Sequence, residues 1–251
     1  MKISHAQYSH VGSRTVNQDA IGCDVRGNRG CFVVSDGIAG RPGGDTASQL
    51  AVSAALAKSA ATPFGTDELL RACIAEANGA IVARQRHDPA LREMAATIVA
   101  LLVDSELRTA QWAHVGDSRL YRFRRGQLVE RTRDHSLVQQ LADAGLPCDG
   151  LSPGLLLHAL GMTGEVLPGL SSAISVEDGD AFLLCTDGFW QLLPDELIEY
   201  CLRAVHTVSD WLTLLADAIR QRSELSGSVD NCSALAVWIG NPESVTLVAM
   251  R

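Results

Sequence analysis

Aromatic residues are scarce in this 251-residue chain, at 5%, and no apolar run approaches the ~18 residues that a membrane-spanning helix requires. The N-terminal stretch Met1-Lys2-Ile3-Ser4-His5 has no apolar signal core. Basic residues are in deficit, 21 Lys and Arg against 29 Asp and Glu, for a net charge of -8. That balance disfavours nucleic acid as a ligand, because phosphate backbones are held by clustered cations. The seven cysteines (Cys23, Cys31, Cys73, Cys148, Cys185, Cys201 and Cys232) never form C-x-x-C or a zinc-type spacing and mostly sit inside apolar runs. They read as buried free thiols in a reducing compartment. The expectation is a soluble, cytoplasmic protein with no membrane or nucleic-acid partner.

What is present is an aliphatic core: 47% of residues are hydrophobic and 20% charged, enough for a chain that folds alone as a single domain over 1–251. Short apolar or alternating runs predict strands at 30–35, 96–103, 109–115, 181–186 and 232–239. The segments 119–123 and 127–131 flank Arg124-Arg125-Gly126 and read as a hairpin. Helical periodicity covers 45–60, 67–86, 136–144, 195–204 and 209–222, with starts at Thr66-Asp67 and Pro194-Asp195. Strand pairs alternate with helix pairs, which favours an α+β fold: a helix-sheet-sheet-helix (αββα) sandwich around two mainly antiparallel sheets. The proline- and glycine-interrupted stretch 148–172 reads as a loop or flap inside the domain.

Four short acidic stretches carry the chemistry: Ser35-Asp36-Gly37, Gly116-Asp117-Ser118, Thr186-Asp187-Gly188 and Val229-Asp230-Asn231. Three follow a predicted strand and the fourth precedes one, so the carboxylates sit at sheet ends. Any one Asp-Gly is an ordinary turn. Together they pose an electrostatic problem, since two like charges ~4 Å apart cost about 4 kcal/mol even at an effective dielectric near 20. Oxygen donors without clustered His or Cys point to Mg2+ or Mn2+, with room for two ions sharing the site, rather than zinc. Such ions can clamp an in-line displacement at phosphorus with no side-chain nucleophile. The glycines after Asp36 and Asp187 let backbone and water approach closely, and the Gly37 carbonyl is itself a candidate ligand. Arg14, in Arg14-Thr15-Val16-Asn17-Gln18-Asp19, supplies a guanidinium fork that matches phosphate oxygens. The arginine-rich stretch 119–133 reads as a solvated hairpin face, with docking of a phosphorylated or acidic partner as the alternative.

These motifs, with Gly43-Gly44-Asp45, Ala96-Thr97, Asp134-His135-Ser136 and Ala159-Leu160-Gly161 between them, resemble the bacterial type 2C, metal-dependent PPM family of Ser/Thr protein phosphatases, in the family's order from about residue 8 to 240. The resemblance implies that Asp36 bridges two metals, with the Gly37 carbonyl on one and Asp187 and Asp230 on the other. It implies that Arg14 holds the substrate phosphoryl group, Asp117 serves a third, weaker ion, and Asp19 supports metal-bound waters. Asn231 and Thr97 would orient these groups. The implied activity is hydrolysis of phosphoserine and phosphothreonine in proteins by in-line attack of a metal-bridging hydroxide, opposing a cognate Ser/Thr kinase. The alternative is a catalytically weak pseudophosphatase that binds phosphoproteins; a two-metal nuclease conflicts with the acidic charge. Two departures stand out: Gln18 where many relatives have Glu, and Arg41 where bacterial relatives often have His. No nearby histidine is thus an obvious proton donor; His114 reads as a packed strand residue, and Asp134 before His135 as a helix cap.

Overall fold

The computed structural model describes residues 1–63, 67–152, 154–226 and 229–241. Two antiparallel sheets lie face to face. One has the order β1 (Ile3–His10), β11 (Cys232–Ile239), β10 (Ala181–Cys185), β6 (Arg119–Arg124), β7 (Gln127–Arg131). The other runs β2 (Asp19–Arg26), β3 (Arg29–Asp36), β4 (Ile98–Asp104), β5 (Thr109–Val115), β8 (Gly169–Leu170), with β9 (Ile174–Ser175) also on β5. The expected αββα sandwich is therefore the observed one.

The two-residue period of a strand explains the layers. Phe32 and Val34 of β3 point inward with Val99 and Leu101 of β4 to meet Phe182, Leu184, Leu235 and Val237 of the opposite sheet. Their neighbours Cys31 and Val33 point outward onto α1 (Gly44–Ala61) and α2 (Asp67–His87). On the other side Ala234, Ala236 and Trp238 pack outward against α5 (Asp195–Arg203) and α6 (Val208–Ser226). Central strands with both faces covered read as continuous apolar runs, which is why β4 and β11 are so plain in the sequence.

Two of the edge strands, β1 and β2, were not anticipated. In β1, Ile-Ser-His-Ala-Gln-Tyr-Ser-His is half polar and much of it stays exposed, yet it pairs with β11 at all eight positions. The 124–127 hairpin turn forms as expected, with Arg125 and Gly126 both at positive φ (53° and 71°). Helix bounds agree to within a few residues; the Thr66 part of the predicted α2 start lies outside the described residues. A one-turn helix, α4 (Asp187–Trp190), was missed. The 148–172 stretch is more ordered than a bare loop: Leu160 bridges Ala96, Leu156 bridges Ser136, and β8 adds to the sheet. No helix among the described residues is long and apolar enough to cross a membrane.

Candidate active site

Antiparallel pairing brings the ends of β1, β3, β5 and β10 and the starts of β2, β4, β6 and β11 to one end of the sandwich. Asp36 ends β3, Asp19 begins β2 directly opposite it in the ladder, Asp187 follows β10, and Asp230 precedes β11. Asp117 lies in the turn from β5 to β6. A cavity of about 300 Å³ at this end is lined by Asp36, Gly37, Thr97, Asp117, Asp187 and Asp230, with Gln18, Gln191 and Asn231 at its sides and Ser152, Gly154 and Leu156 from the 148–172 stretch closing one wall. Asp19 sits just beneath, 9% exposed.

The surrounding hydrogen bonds fix the backbone that carries these carboxylates. Thr97 Oγ1 accepts the Asp36 N–H (3.0 Å) and contacts Ser118 Oγ (2.6 Å). The Thr97 N–H donates to the Asp36 carbonyl (2.8 Å), so β3 and β4 are pinned where their ladder ends. Asn231 Oδ1 accepts the Gln18 N–H (2.8 Å), while its Nδ2 donates to Val11 O and Val16 O (2.8 and 3.0 Å). That side chain, with the Ser13 N–H on the Val229 carbonyl (2.9 Å), locks the Arg14 loop to the start of β11. Gly37 and Gly188 are glycines for a reason other than metal access: a Cβ on Gly37 would overlap the Gly44 backbone, and one on Gly188 the Asn231 carbonyl.

The carboxylates repel one another. Burial, then the charges of Asp19, Asp187 and Asp117, push the Asp36 carboxyl well above the usual range. Burial and Asp187 push Asp117 up to about 7, and burial pushes Asp19 up to about 6 despite the Thr186 hydroxyl that donates to its Oδ2 (3.0 Å). Asp187 is also raised by burial, and its carboxyl lies within hydrogen-bonding reach of that of Asp36. Asp19 Oδ1 is buried with no partner. An oxygen-only donor set with touching carboxyls and an orphaned carboxylate oxygen fits hard divalent cations. The ligand shell is not closed: no three His, Cys, Asp or Glu among the described residues converge as a metal-holding group. Asp230 is instead turned onto Arg14, which grips it through Nε (2.9 Å) and NH2 (2.6 Å).

Sequence reasoning missed Gln191, whose Nε2 donates to Asp187 Oδ2 (3.0 Å); it directly follows α4, four residues after Asp187, and with that one-turn helix unread the spacing carried no signal. The histidines lie elsewhere. His114 is buried, with Nε2 on Arg133 O (2.8 Å), and with His135 and His158 it lines a separate cavity of about 530 Å³. Asp134 is no helix cap: Ser136 caps α3 (Leu137–Asp143), and Asp134 binds Arg119 through two hydrogen bonds (2.8 and 2.7 Å). The arginines of the 119–133 stretch are largely neutralised, Arg122 by Glu130, Arg124 by Asp180, Arg131 by Asp195 and Arg133 by Asp143, which leaves little for an acidic partner.

An αββα sandwich with five carboxylates and one guanidinium at a single end defines an acidic centre suited to divalent cations and phosphate. The chain belongs to the protein phosphatase 2C family, whose model matches residues 6–145. It is 32% identical over 241 residues to the serine/threonine protein phosphatase PstP of Mycobacterium tuberculosis, covering 94% of this chain and 42% of that protein. The chain thus spans less than half the length of that relative. It is also 32% identical over 221 residues to the serine/threonine phosphatase Stp of Listeria monocytogenes, covering 84% of each. A crystal structure of the catalytic domain of PstP in complex with two manganese ions superposes with a TM-score of 0.80, at 27% identity over 95% of this chain and 99% of that one.

Proposed function

We propose that this protein is a Mn2+- or Mg2+-dependent phosphatase of phosphoserine and phosphothreonine in proteins, acting in the cytoplasm against a Ser/Thr kinase. The observation that carries the reading is the placement of Asp36, Asp117, Asp187 and Asp230 around one cavity, with Arg14 held against Asp230. Asp36, the Gly37 carbonyl, Asp187 and Asp230 are the residues that would hold two cations, with Asp19, opposite Asp36, supporting the waters around them, and Asp117 would hold a third. The cations, when bound, activate water for in-line attack and neutralise charge on the phosphoryl oxygens.

The chain's own residues do the rest. Arg14, half exposed, offers a phosphate monoester the same two-pronged grip it now has on Asp230. Thr97 and Asn231 keep the strand ends and the Arg14 loop from moving as charge shifts. Among the described residues no Cys or His lines the cavity, so the leaving seryl or threonyl oxygen would take its proton from water. The flap residues Ser152, Gly154 and Leu156 narrow the entrance from one side.

Hydrolysis of an aryl phosphate and of a phosphothreonine peptide, with Mn2+, with EDTA, and for Asp36→Asn and Asp187→Asn, tests the reading. Activity is expected only in the wild type with Mn2+. Activity that survives EDTA and both substitutions overturns it, and an inactive wild type that still binds phosphopeptide leaves the pseudophosphatase.

A further inference from the structure

The turn that carries Asp117 is held residue by residue. Gly116, at φ 102°, accepts the His135 N–H on its carbonyl (2.9 Å). Ser118 Oγ contacts Thr97 Oγ1 (2.6 Å), the same oxygen that receives the Asp36 N–H. The backbone carbonyl of Asp117 itself accepts the indole Nε1–H of Trp190 (2.9 Å). Arg119 lies over the Trp190 ring, 3.3 Å from its centroid, and is clamped by Asp134 in a pair whose side chains are 13% and 9% exposed.

Trp190 therefore belongs to two parts of the site at once. It is the last residue of α4, a single turn whose first residue is Asp187, so its backbone is one helical turn from that carboxylate. Its indole reaches across to the Asp117 backbone. The guanidinium of Arg119 stacked on the ring sets the plane of the indole and so the direction of its N–H. A residue placed only to fill space needs neither the hydrogen bond nor the clamp.

We propose that Trp190 is a positioning residue: a strut between α4 and the β5–β6 turn that fixes Asp117 relative to Asp187 and so sets the affinity for the divalent cation that Asp117 engages. The proposal rests on the metal-dependent reading above. Arg119 and Asp134 act through it by holding the ring.

The test counts Mn2+ binding to the whole protein by the electron paramagnetic resonance of free Mn2+, beside activity as a function of Mn2+. Trp190→Phe keeps a ring under Arg119 and deletes the N–H. It is expected to weaken the lowest-affinity Mn2+ site about threefold to tenfold, the worth of one hydrogen bond, with the tighter sites unchanged and kcat restored at saturating Mn2+. In an Asp117→Asn background the same substitution is expected to change Mn2+ binding by less than about twofold, because the path runs through Asp117. Arg119→Lys, which keeps the charge on Asp134 but loses the flat stack, is expected to move the same site in the same direction should Trp190→Phe fold poorly. Unchanged Mn2+ affinity in Trp190→Phe, or an equal loss with and without Asp117, overturns the proposal. Asp36→Asn separates the two ideas: if it leaves Mn2+ binding as in the wild type, the metal reading fails first, and if it removes tight binding while Trp190→Phe alters nothing, only the positioning role fails.

Discussion

Asp19→Asn is expected to stabilise the metal-free protein. In the native state Asp19 is buried, its Oδ1 has no partner, and burial raises its carboxyl from 3.8 to about 6. At about 1.36 kcal/mol per pH unit, ionising Asp19 in the folded, metal-free protein costs roughly 3 kcal/mol at neutral pH. Asparagine keeps an oxygen for the Thr186 hydroxyl and loses the charge; it must still bury an amide, so a net gain of about 1–3 kcal/mol is expected.

The sign of the pH dependence follows. A carboxyl raised on folding binds its proton more tightly in the native state, so its contribution is most favourable below 3.8 and is lost as pH rises through about 6. The advantage of Asp19→Asn over the wild type should therefore be full at pH 7.5 and nearly gone by pH 4. Urea denaturation in EDTA at both pH values measures it; carboxylates remote from Asp19 titrate alike in both proteins and cancel, and Asp36, relieved of the Asp19 charge, adds to the gain at pH 7.5. A variant less stable than the wild type at pH 7.5, or a gain of the same size at pH 4, refutes the electrostatic account of the site.

Arg14→Lys retains the charge and loses the fork that holds Asp230; kcat/KM on a phosphothreonine peptide should fall about 10- to 100-fold, and steady-state kinetics that match the wild type would remove Arg14 from the site. Gly37→Ala forces a Cβ into the Gly44 backbone, an overlap no rotamer relieves, and should cost about 2–4 kcal/mol in urea denaturation together with Mn2+ binding. His135, held near 4 by burial and by His114 and His158, disfavours its charged form, so the protein should lose stability as pH falls from 6.5 towards 4. The ring is partly open to its cavity, which reduces the loss to about 1 kcal/mol, and His135→Gln should abolish that part of the slope in melts compared over this range.

Apart from the β6–β7 hairpin, marked by its glycine turn, the strands that were legible were those buried on both faces. Cys232–Ile239 is apolar at every position but Ser233, because one side faces the other sheet and the other faces α6. Ile3–His10 and Asp19–Arg26 are edges, where water satisfies one side and polar residues carry no penalty, so hydrophobic pattern said little about them. The site shows the same division. Asp36, Asp117, Asp187 and Asp230 are marked by the strands they adjoin, and those strand ends were readable. Asp19 opposite Asp36 depends on the unseen edge strand β2. The Arg14–Asp230 pair spans 216 positions, and the indole of Trp190 on the Asp117 carbonyl spans 73; contacts of that separation leave no periodic trace. Asp134 was misread because a cap and an ion-pair partner look alike before a helix, and only the burial of Arg119 beside it decides between them.

The cost of this site and its affinity for cations are the same quantity seen from two states. Like charges placed directly opposite in an antiparallel pair destabilise it, and here the strand ends that bear Asp19 and Asp36 are pinned by Thr97 and Asn231 and backed by the inter-sheet core, so they cannot splay to relieve the repulsion. Whatever free energy the metal-free fold gives up to hold the carboxylates together is recovered when a cation binds the native state and not the unfolded chain. Each roughly 1.4 kcal/mol so stored corresponds to about tenfold in affinity. Asp19→Asn should accordingly bind Mn2+ more weakly by a factor that grows with the stability it gains without metal. A rigid scaffold makes that exchange efficient, since a loop-borne cluster would relax apart and keep nothing for the ion. The position of these residues at sheet ends, rather than on free loops, follows from that requirement.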